Sequence, residues 1–300
     1  MKLLLKLVTK GLERKCRDWE TSIKADHQVP GDVEEFLDIP FEGTGDTPLA
    51  VDIFRPKNQD HAPLPVVIMI HGGGLVVGDR KLSQTYCENL AKKGFLVFAP
   101  EYRLATETDG ISEIGDVYSA FSFISEHLSE YSGDPEHVSV MSESAGSYLA
   151  VYTVATVNSQ VFRDMFGFNE LALRIRTLAC FSGMFYTTRW DALRLVYAGA
   201  LYGKRKRDKL FMQLMNPENP EVMGHLPPVF LVSSNADFLK RYTRRYATAL
   251  HKAKHPCEFL YCKDNKELDH AFPSLKPDLP ESREIMDKLI EWIGQVEKTE

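Results

Sequence analysis

Short apolar runs separated by helical stretches recur along this 300-residue chain, and they constrain its fold more than any other feature. The runs are apolar at consecutive positions, so both faces of each strand are expected to be buried, as they are in parallel sheets. Strands that alternate with helices in this way predict a mostly parallel sheet with helices on both faces, which is an α/β fold. The runs are 65–71, 95–100, 137–141, 177–183, 228–234 and 257–262.

The remaining segments define a core with additions. Segments 32–40 and 49–56 flank the turn-rich sequence EGTGDT and are predicted to pair as an antiparallel hairpin. A long insertion with aromatic and basic residues separates the fourth apolar run from the fifth. We predict an N-terminal helical cap segment at 1–30, a core formed by 31–183 and 226–300, and a cap insertion at 184–225.

Composition excludes several classes of function. The formal net charge of −6 argues against a nucleic-acid partner. The basic stretch GKRKRDK at 203–209 is either a phosphate-binding patch or a solvated face, and the absence of interleaved aromatic side chains favours the solvated face. Five scattered cysteines without a CxxC pair indicate neither a disulfide framework nor a zinc knuckle, and they favour a reducing compartment.

The first residues, MKLLLKLVTKGLERK, begin like a signal peptide, but Lys6 interrupts the apolar run and no small-residue cleavage site follows. Segment 3–19 has the spacing of an amphipathic helix, for which packing on its own domain is favoured over membrane-surface binding. No apolar stretch approaches the roughly 20 residues that a membrane span needs. A cytoplasmic protein without stable membrane association is predicted, as a monomer or a homodimer.

The segment SESAG at 142–146 lies between the run at 137–141 and a predicted helix. A sharp strand-to-helix turn exposes a nucleophilic serine beside backbone N–H groups, and it requires small residues two positions before and after. Ser144 meets that requirement. The alternative is a turn in which Ser142 or Ser144 merely caps the helix, and five residues alone do not exclude it.

Three consecutive glycines follow the first buried strand in the sequence HGGG, His71 to Gly74. They leave the backbone free to turn its N–H groups toward a substrate without obstruction by side chains. A phosphate loop is the second interpretation, but neither GxxxxGK[ST] nor GxGxxG is present at a strand end.

A candidate acid and a candidate base follow Ser144 along the chain, in the order serine, aspartate, histidine that is typical of an α/β fold with a nucleophile at a strand-to-helix turn. Asp237 comes just after the run 228–234, and His270 lies in the loop after 257–262. Loops at the carboxyl ends of such strands converge on one crevice, so Ser144, Asp237 and His270 are predicted to meet there as a catalytic triad. Other carboxyl groups close to His270 compete for the role of the acid, namely Asp264, Glu267 and Asp269.

Five ordered motifs together resemble those of the hormone-sensitive-lipase group of α/β-hydrolases, which includes many small carboxylesterases. They are HGGGLVVGD, APEYRLA, SESAG, NADFL and DHAF, and the resemblance spans roughly residues 30 to 297. It implies an α/β-hydrolase fold with an eight-stranded sheet and a helical cap built from the N-terminal segment and the insertion. By position it implies that the N–H groups of Gly73, Gly74 and Ala145 form the oxyanion hole, and that His71 supports the glycine loop.

The sequence departs from the family pattern in the residues around the nucleophile. Ser142 and Glu143 stand where glycine and aspartate are usual, and Ser147 stands where a second glycine is usual. Arg241 stands four residues after Asp237, where another carboxylate is frequent. None of these changes removes a catalytic group, but Glu143 introduces a different side chain next to the acyl pocket.

The function predicted from these motifs is hydrolysis of short-chain carboxylic esters through an acyl-enzyme, with a small-molecule ester as partner and no cofactor or metal. His251 and His255 have helical spacing but lie at a predicted solvated helix end. Amidase, deacetylase and peptidase activities remain alternatives, as does a ligand-binding protein without catalysis. Aromatic side chains of the insertion are predicted to form an apolar lid: Phe185, Tyr186, Trp190, Tyr197 and Tyr202.

Overall fold

A computed structural model describes residues 2–24, 29–57, 63–263 and 265–299 of the chain. The strands are β1 (Val33–Glu42), β2 (Pro48–Pro56), β3 (Leu64–Ile70), β4 (Leu96–Pro100), β5 (Gly133–Glu143), β6 (Ile175–Phe181), β7 (Val229–Ser234) and β8 (Cys257–Cys262). The helices are α1 (Lys2–Lys24), α2 (Gln84–Lys92), α3 (Gly110–His127), α4 (Gly146–Asn158), α5 (Gln160–Phe166), α6 (Ala192–Tyr202), α7 (Lys209–Leu214), α8 (Pro220–Met223), α9 (Lys240–Lys252), α10 (Phe272–Leu275) and α11 (Pro280–Thr299).

All eight strands belong to one sheet in the order β1-β2-β4-β3-β5-β6-β7-β8. β1 and β2 form the predicted antiparallel hairpin, and β2 also runs antiparallel to β4. The neighbouring strands from β4 to β8 are parallel. The predicted eight-stranded, mostly parallel sheet is therefore confirmed.

Both faces of the central strands are buried, which explains why these strands are apolar at consecutive positions, whereas the edge strands β1 and β8 are partly exposed. On β3, Val66, Ile68 and Ile70 pack into the core beneath α3 and α4, whereas Val67 and Met69 pack into the core beneath α2 and α11. Each such side chain contributes about 1.5–3 kcal/mol when it is fully buried. The central strands therefore provide a rigid platform for the loops at their ends.

The helices include several that the pattern of apolar residues did not predict. α5 follows α4 after one residue, and the insertion contains α6, α7 and α8. These short helices begin at residues whose side chains accept a backbone hydrogen bond, which stabilises the first turn, and the capping residues are Ser159, Asp191, Asp208 and Asn219. Among the helices of the described ranges, none combines the length and apolarity needed to cross a bilayer.

The loops that follow β3, β5, β7 and β8 leave the same edge of the sheet, because these strands are parallel. They carry His71, Ser144, Asp237 and His270, respectively. In open α/β sheets this edge is where ligands bind. The sheet topology therefore directs four candidate functional residues toward one crevice.

Candidate active site

Ser144 occupies a strained turn between β5 and α4. Its φ angle of +50° lies in the left-handed region, which costs a non-glycine residue about 1–3 kcal/mol. Backbone hydrogen bonds hold this conformation: the Ser144 N–H donates to Phe181 O at 2.8 Å, and the Met184 N–H donates to Ser144 O at 2.8 Å. A Cβ on Gly146 would lie 2.4 Å from the carbonyl oxygens of Ile70 and His71, so glycine is required two residues after Ser144.

The two neighbouring serines are engaged elsewhere. The buried Ser142 hydroxyl donates to Ser147 Oγ at 3.1 Å and lies 3.2 Å from Ala179 O. The N-cap position of α4 is occupied by Ala145, without a side-chain hydrogen bond. The interpretation of the segment as a serine-capped helix start is therefore wrong, because neither Ser142 nor Ser144 caps the helix.

His270 lies between Ser144 and Asp237. Its Nε2 is 2.7 Å from Ser144 Oγ, and its Nδ1 is 2.7 Å from Asp237 Oδ1. The competing carboxyl groups take other positions: Asp269 pairs with Lys276 at 2.9 Å, and Glu267 is exposed. Asp264 lies outside the described residues. The structure thus brings together Ser144, His270 and Asp237 in the spacing of a nucleophile, a base and an orienting acid.

Asp237 is fully buried, yet it is held in the ionised form. Burial alone would raise its pKa, but the hydrogen bond and charge of His270 act in the opposite direction, and so do hydrogen bonds from Ser233 Oγ and the Leu239 N–H. The pKa of Asp237 consequently lies below its usual value. A charged carboxylate at this position stabilises a positively charged His270.

Contacts of His71 and Tyr102 hold the glycine loop, residues 71–74, in place. The buried His71 ring stacks on Tyr102 and its Nδ1 lies 2.8 Å from Gly72 O, while the Tyr102 hydroxyl donates to His71 O at 2.9 Å. Burial lowers the pKa of His71 to about 4, so this imidazole is neutral near pH 7. These contacts occupy the carbonyl groups of the loop and fix the direction of its N–H groups.

The N–H groups of Gly73, Gly74 and Ala145 donate no hydrogen bond to any residue in the described parts of the chain. The φ angles of Gly73 and Gly74 are +105° and +65°, values that residues other than glycine rarely adopt. A Cβ on Gly73 would also lie 1.9 Å from Val77 O. Three N–H groups are therefore available beside Ser144, at a site where an oxyanion could accept their hydrogen bonds.

Glu143 connects three segments that are distant in sequence. Its buried carboxylate accepts hydrogen bonds from the Gly72 N–H at 3.3 Å and from the Ser274 hydroxyl on α10. Burial raises the pKa of Glu143 to about 7, although these two hydrogen bonds oppose the rise. The departure from the family's aspartate thus places a carboxyl group with a raised pKa between the glycine loop and the helix that follows His270.

The raised pKa of Glu143 predicts a pH-dependent loss of stability. The folded protein binds this proton more tightly than the unfolded chain does, so the free energy of unfolding falls as the pH rises from the ordinary value of 4.5 through about 7. The loss is on the order of 3 kcal/mol. Glu143→Gln should remove it, so the variant should gain about that amount relative to the unmodified protein between pH 5 and pH 8. Urea unfolding of both proteins at the two pH values measures the difference, and an equal difference at both would contradict the prediction.

A cavity of about 260 Å³ opens above Ser144 and His270. Its walls are mostly apolar and come from the core, from α1 through Val8 and Leu12, and from α6 through Leu193 and Val196. The prediction of an aromatic lid is largely wrong, because only Tyr197 of the five aromatic residues lines this cavity. Phe185, Tyr186 and Tyr202 are buried away from it, and Trp190 is 85% exposed.

Several residues of the site were not identified from the sequence. Ser274 supports Glu143, and Phe238 lies against His270 with ring centroids 4.0 Å apart. Both lie close to catalytic candidates along the chain, Ser274 four residues after His270 and Phe238 directly after Asp237. That proximity was the available signal. The cavity residues of α1 and α6 had no such signal, because helical spacing identifies an apolar face without identifying what it covers.

Comparisons with known proteins agree with this architecture. The sequence model of the BD-FAE family matches residues 51–247, more than half of the chain. Esterase LipI of Mycobacterium tuberculosis is 27% identical over 243 residues, which cover 74% of this chain and 71% of LipI. Two other curated relatives, from Arabidopsis thaliana and M. tuberculosis, are longer proteins, and this chain spans 43% and 32% of their lengths.

Solved structures share the fold along almost the entire chain. Esterase B from Lactobacillus rhamnosis, inhibited by a C4-C4 SN3 tributyrin phosphonate, superposes with a TM-score of 0.89 at 22% identity, covering 100% of this chain and 97% of that one. Brefeldin A esterase, a bacterial homologue of human hormone-sensitive lipase, has a TM-score of 0.68 at 18% identity, covering 97% and 85%. The fold is that of the α/β-hydrolases.

Proposed function

Since the chain belongs to the BD-FAE family and has the α/β-hydrolase fold, we propose that it is a carboxylesterase of the hormone-sensitive-lipase-like group that cleaves short-chain carboxylic esters through an acyl-enzyme. One observation carries the proposal. Ser144 Oγ, His270 and Asp237 form a continuous hydrogen-bonded chain, with distances of 2.7 Å, at the floor of an apolar cavity.

The first half of the proposed reaction acylates Ser144. Ser144 Oγ attacks the ester carbonyl carbon as its proton passes to His270 Nε2, while Asp237 fixes the Nδ1–H tautomer and stabilises the imidazolium that forms. The carbonyl oxygen becomes an oxyanion and accepts hydrogen bonds from the N–H groups of Gly73, Gly74 and Ala145. Each such donor contributes about 10²–10³ in kcat. The carbon–oxygen bond to the alcohol then breaks, and the alcohol leaves with the proton from His270.

The second half releases the acid. A water molecule gives a proton to His270 Nε2 as its oxygen attacks the acyl-serine carbonyl, and the same three N–H groups hold the second oxyanion. Collapse returns the proton to Ser144 Oγ and frees the carboxylic acid. Every proton transfer in this cycle uses His270, and the protein returns to its starting state.

The size of the cavity supports a short acyl chain. Its volume of about 260 Å³ lies below the roughly 300–1,000 Å³ of pockets that hold drug-sized ligands. The inhibitor of the structurally similar Lactobacillus esterase B also carries C4 groups. In the proposed arrangement the segments 1–30 and 184–225 form the cap, since α1 and α6 supply the walls opposite the sheet.

Substrate length is the direct test of this specificity. p-Nitrophenyl esters from acetate to hexadecanoate share one leaving group, so differences in kcat/KM among them report the acyl pocket. We expect the highest kcat/KM at two to six carbons, because longer chains exceed the enclosed volume, and a fall of at least about tenfold by twelve carbons. A preference for long chains would contradict the short-chain proposal.

Ester specificity is tested with the same acyl groups on a different leaving group. In the proposed mechanism His270 is the group that protonates the leaving group, and an anilide leaves less readily than a nitrophenolate. We therefore expect turnover of p-nitrophenyl butyrate far above that of butyryl p-nitroanilide. Equal turnover would favour the amidase and peptidase alternatives.

A further inference from the structure

A second, larger groove lies on the outer side of the insertion, away from Ser144. It has a volume of about 470 Å³, and six basic side chains line it: Arg189, Arg194, Lys206, Arg207, Lys209 and Arg245. Asp208 is the single carboxylate among the described lining residues, and it already accepts a hydrogen bond from the Phe211 N–H. This concentration of positive charge occurs in a chain whose formal net charge is −6.

Three of these guanidinium groups are held in place by the fold. Arg194 lies 4.1 Å from the centre of the Trp190 ring and donates to Thr188 O at 2.7 Å. Arg189 and Arg245 both lie over the Tyr186 ring, at 5.6 and 5.3 Å. Stacking of this kind restricts the side chains before any ligand arrives, so less conformational entropy is lost on binding.

The opposite wall comes from the basic stretch 203–209. Sequence alone favoured a solvated face for it, because no aromatic side chain is interleaved. Its side chains are indeed exposed, but Lys206, Arg207 and Lys209 line a groove whose other lining residues include the aromatic Tyr186. Basic side chains therefore line the groove from the stretch 203–209, from residues 189–194 and from α9.

We propose that this groove is a binding site for a phosphate-bearing ligand, a phosphomonoester or a diphosphate. Guanidinium groups bind phosphate through two parallel hydrogen bonds, and lysines add point charge. Asp208 in the lining and Glu218, which pairs with Arg245, supply two negative charges against six cations, whereas a ligand with several anionic oxygens supplies further counter-charge. Neutral hydrogen-bonding side chains at Gln213 and Asn216 line the same groove.

The groove shares a wall with the ester cavity. On α6, Arg194 lines the groove, whereas its neighbours Leu193, Val196 and Tyr197 line the cavity above Ser144. A ligand that binds Arg194 would therefore restrict the helix that also bounds the ester site. The binding proposal itself does not depend on the proposed esterase function.

Calorimetric titration of the Ser144→Ala protein with inorganic pyrophosphate at constant ionic strength tests the site. We expect the double variant Lys206→Gln/Arg207→Gln, and separately Arg194→Gln, to weaken binding at least tenfold. The control Arg283→Gln/Lys288→Gln removes the same charge from exposed positions on α11 and should leave binding unchanged. Because Ser144 is absent from these proteins, the result is independent of catalysis.

A second arm identifies the source of the phosphate. Phosphatidylcholine vesicles with and without phosphatidic acid are sedimented with the same proteins. If pyrophosphate binds and the binding requires Lys206 and Arg207, the site exists and its ligand is soluble. If the protein instead binds only to vesicles that contain phosphatidic acid, and again requires Lys206 and Arg207, the site exists and its ligand is a lipid headgroup. Binding in neither arm, or equal weakening in the α11 control, would overturn the proposal.

Discussion

Replacing Ser144 with alanine is expected to lower kcat for p-nitrophenyl butyrate by about 10⁵-fold or more. The hydroxyl removed is the proposed nucleophile, which lies 2.7 Å from His270 Nε2. KM should change little, because the cavity walls and the N–H groups of the glycine loop remain. Steady-state kinetics measure the effect, and labelling by a fluorophosphonate should disappear with it.

The two adjacent serines provide matched controls. Ser142→Ala at the end of β5 and Ser147→Ala at the start of α4 each remove one hydroxyl, and these hydroxyls bond to each other. Each change should cost about 1 kcal/mol of stability and preserve labelling. If Ser144→Ala still reacts with the fluorophosphonate as rapidly as the unmodified protein, Ser144 is not the nucleophile.

Asp237→Asn is expected to lower kcat by about 10⁴-fold while the fold is retained. An asparagine can present its amide N–H₂ to His270 Nδ1, which would favour the tautomer with the proton on Nε2. That nitrogen could then no longer accept the proton of Ser144. The variant also lacks the charge that stabilises the imidazolium, and steady-state kinetics with p-nitrophenyl butyrate measure the loss.

The controls for Asp237→Asn are variants of the carboxyl residues near His270 that were alternative candidates for the acid. Asp269→Asn and Glu267→Gln change residues that lie next to His270 along the chain but contact other groups or solvent. Both variants should retain kcat within a few-fold. A larger loss in either than in Asp237→Asn would reassign the acid of the triad.

The positions of Ser144, Asp237 and His270 were predictable because they depend on topology. Each follows a strand whose apolar pattern is strong, and parallel strands bring the loops at their carboxyl ends together regardless of the details of packing. The strand-to-helix turn also constrains its own sequence, since Gly146 lies against the carbonyl groups of Ile70 and His71. Local chemistry and global topology agree at these residues.

The surroundings of the proposed triad were less predictable because they depend on the direction of side chains in irregular segments. Residues 184–191 precede α6 and have neither helical nor strand periodicity, so nothing in the pattern indicated that Tyr186 is buried and Trp190 exposed. The roles of Glu143 and Ser274 depend on a contact across 131 positions of sequence. Such contacts follow from packing, which a single sequence does not reveal.

The position of β8 at the edge of the sheet also has a consequence for folding. Ser144 and His270 are 126 positions apart, and the loop that carries His270 follows β8, which pairs with β7. Helices form within microseconds from neighbouring residues, whereas contacts between distant residues form later. We therefore expect the activity recovered after dilution from denaturant to follow the pairing of β8 with β7. Circular dichroism, which reports helix content, would overestimate the fraction of active molecules.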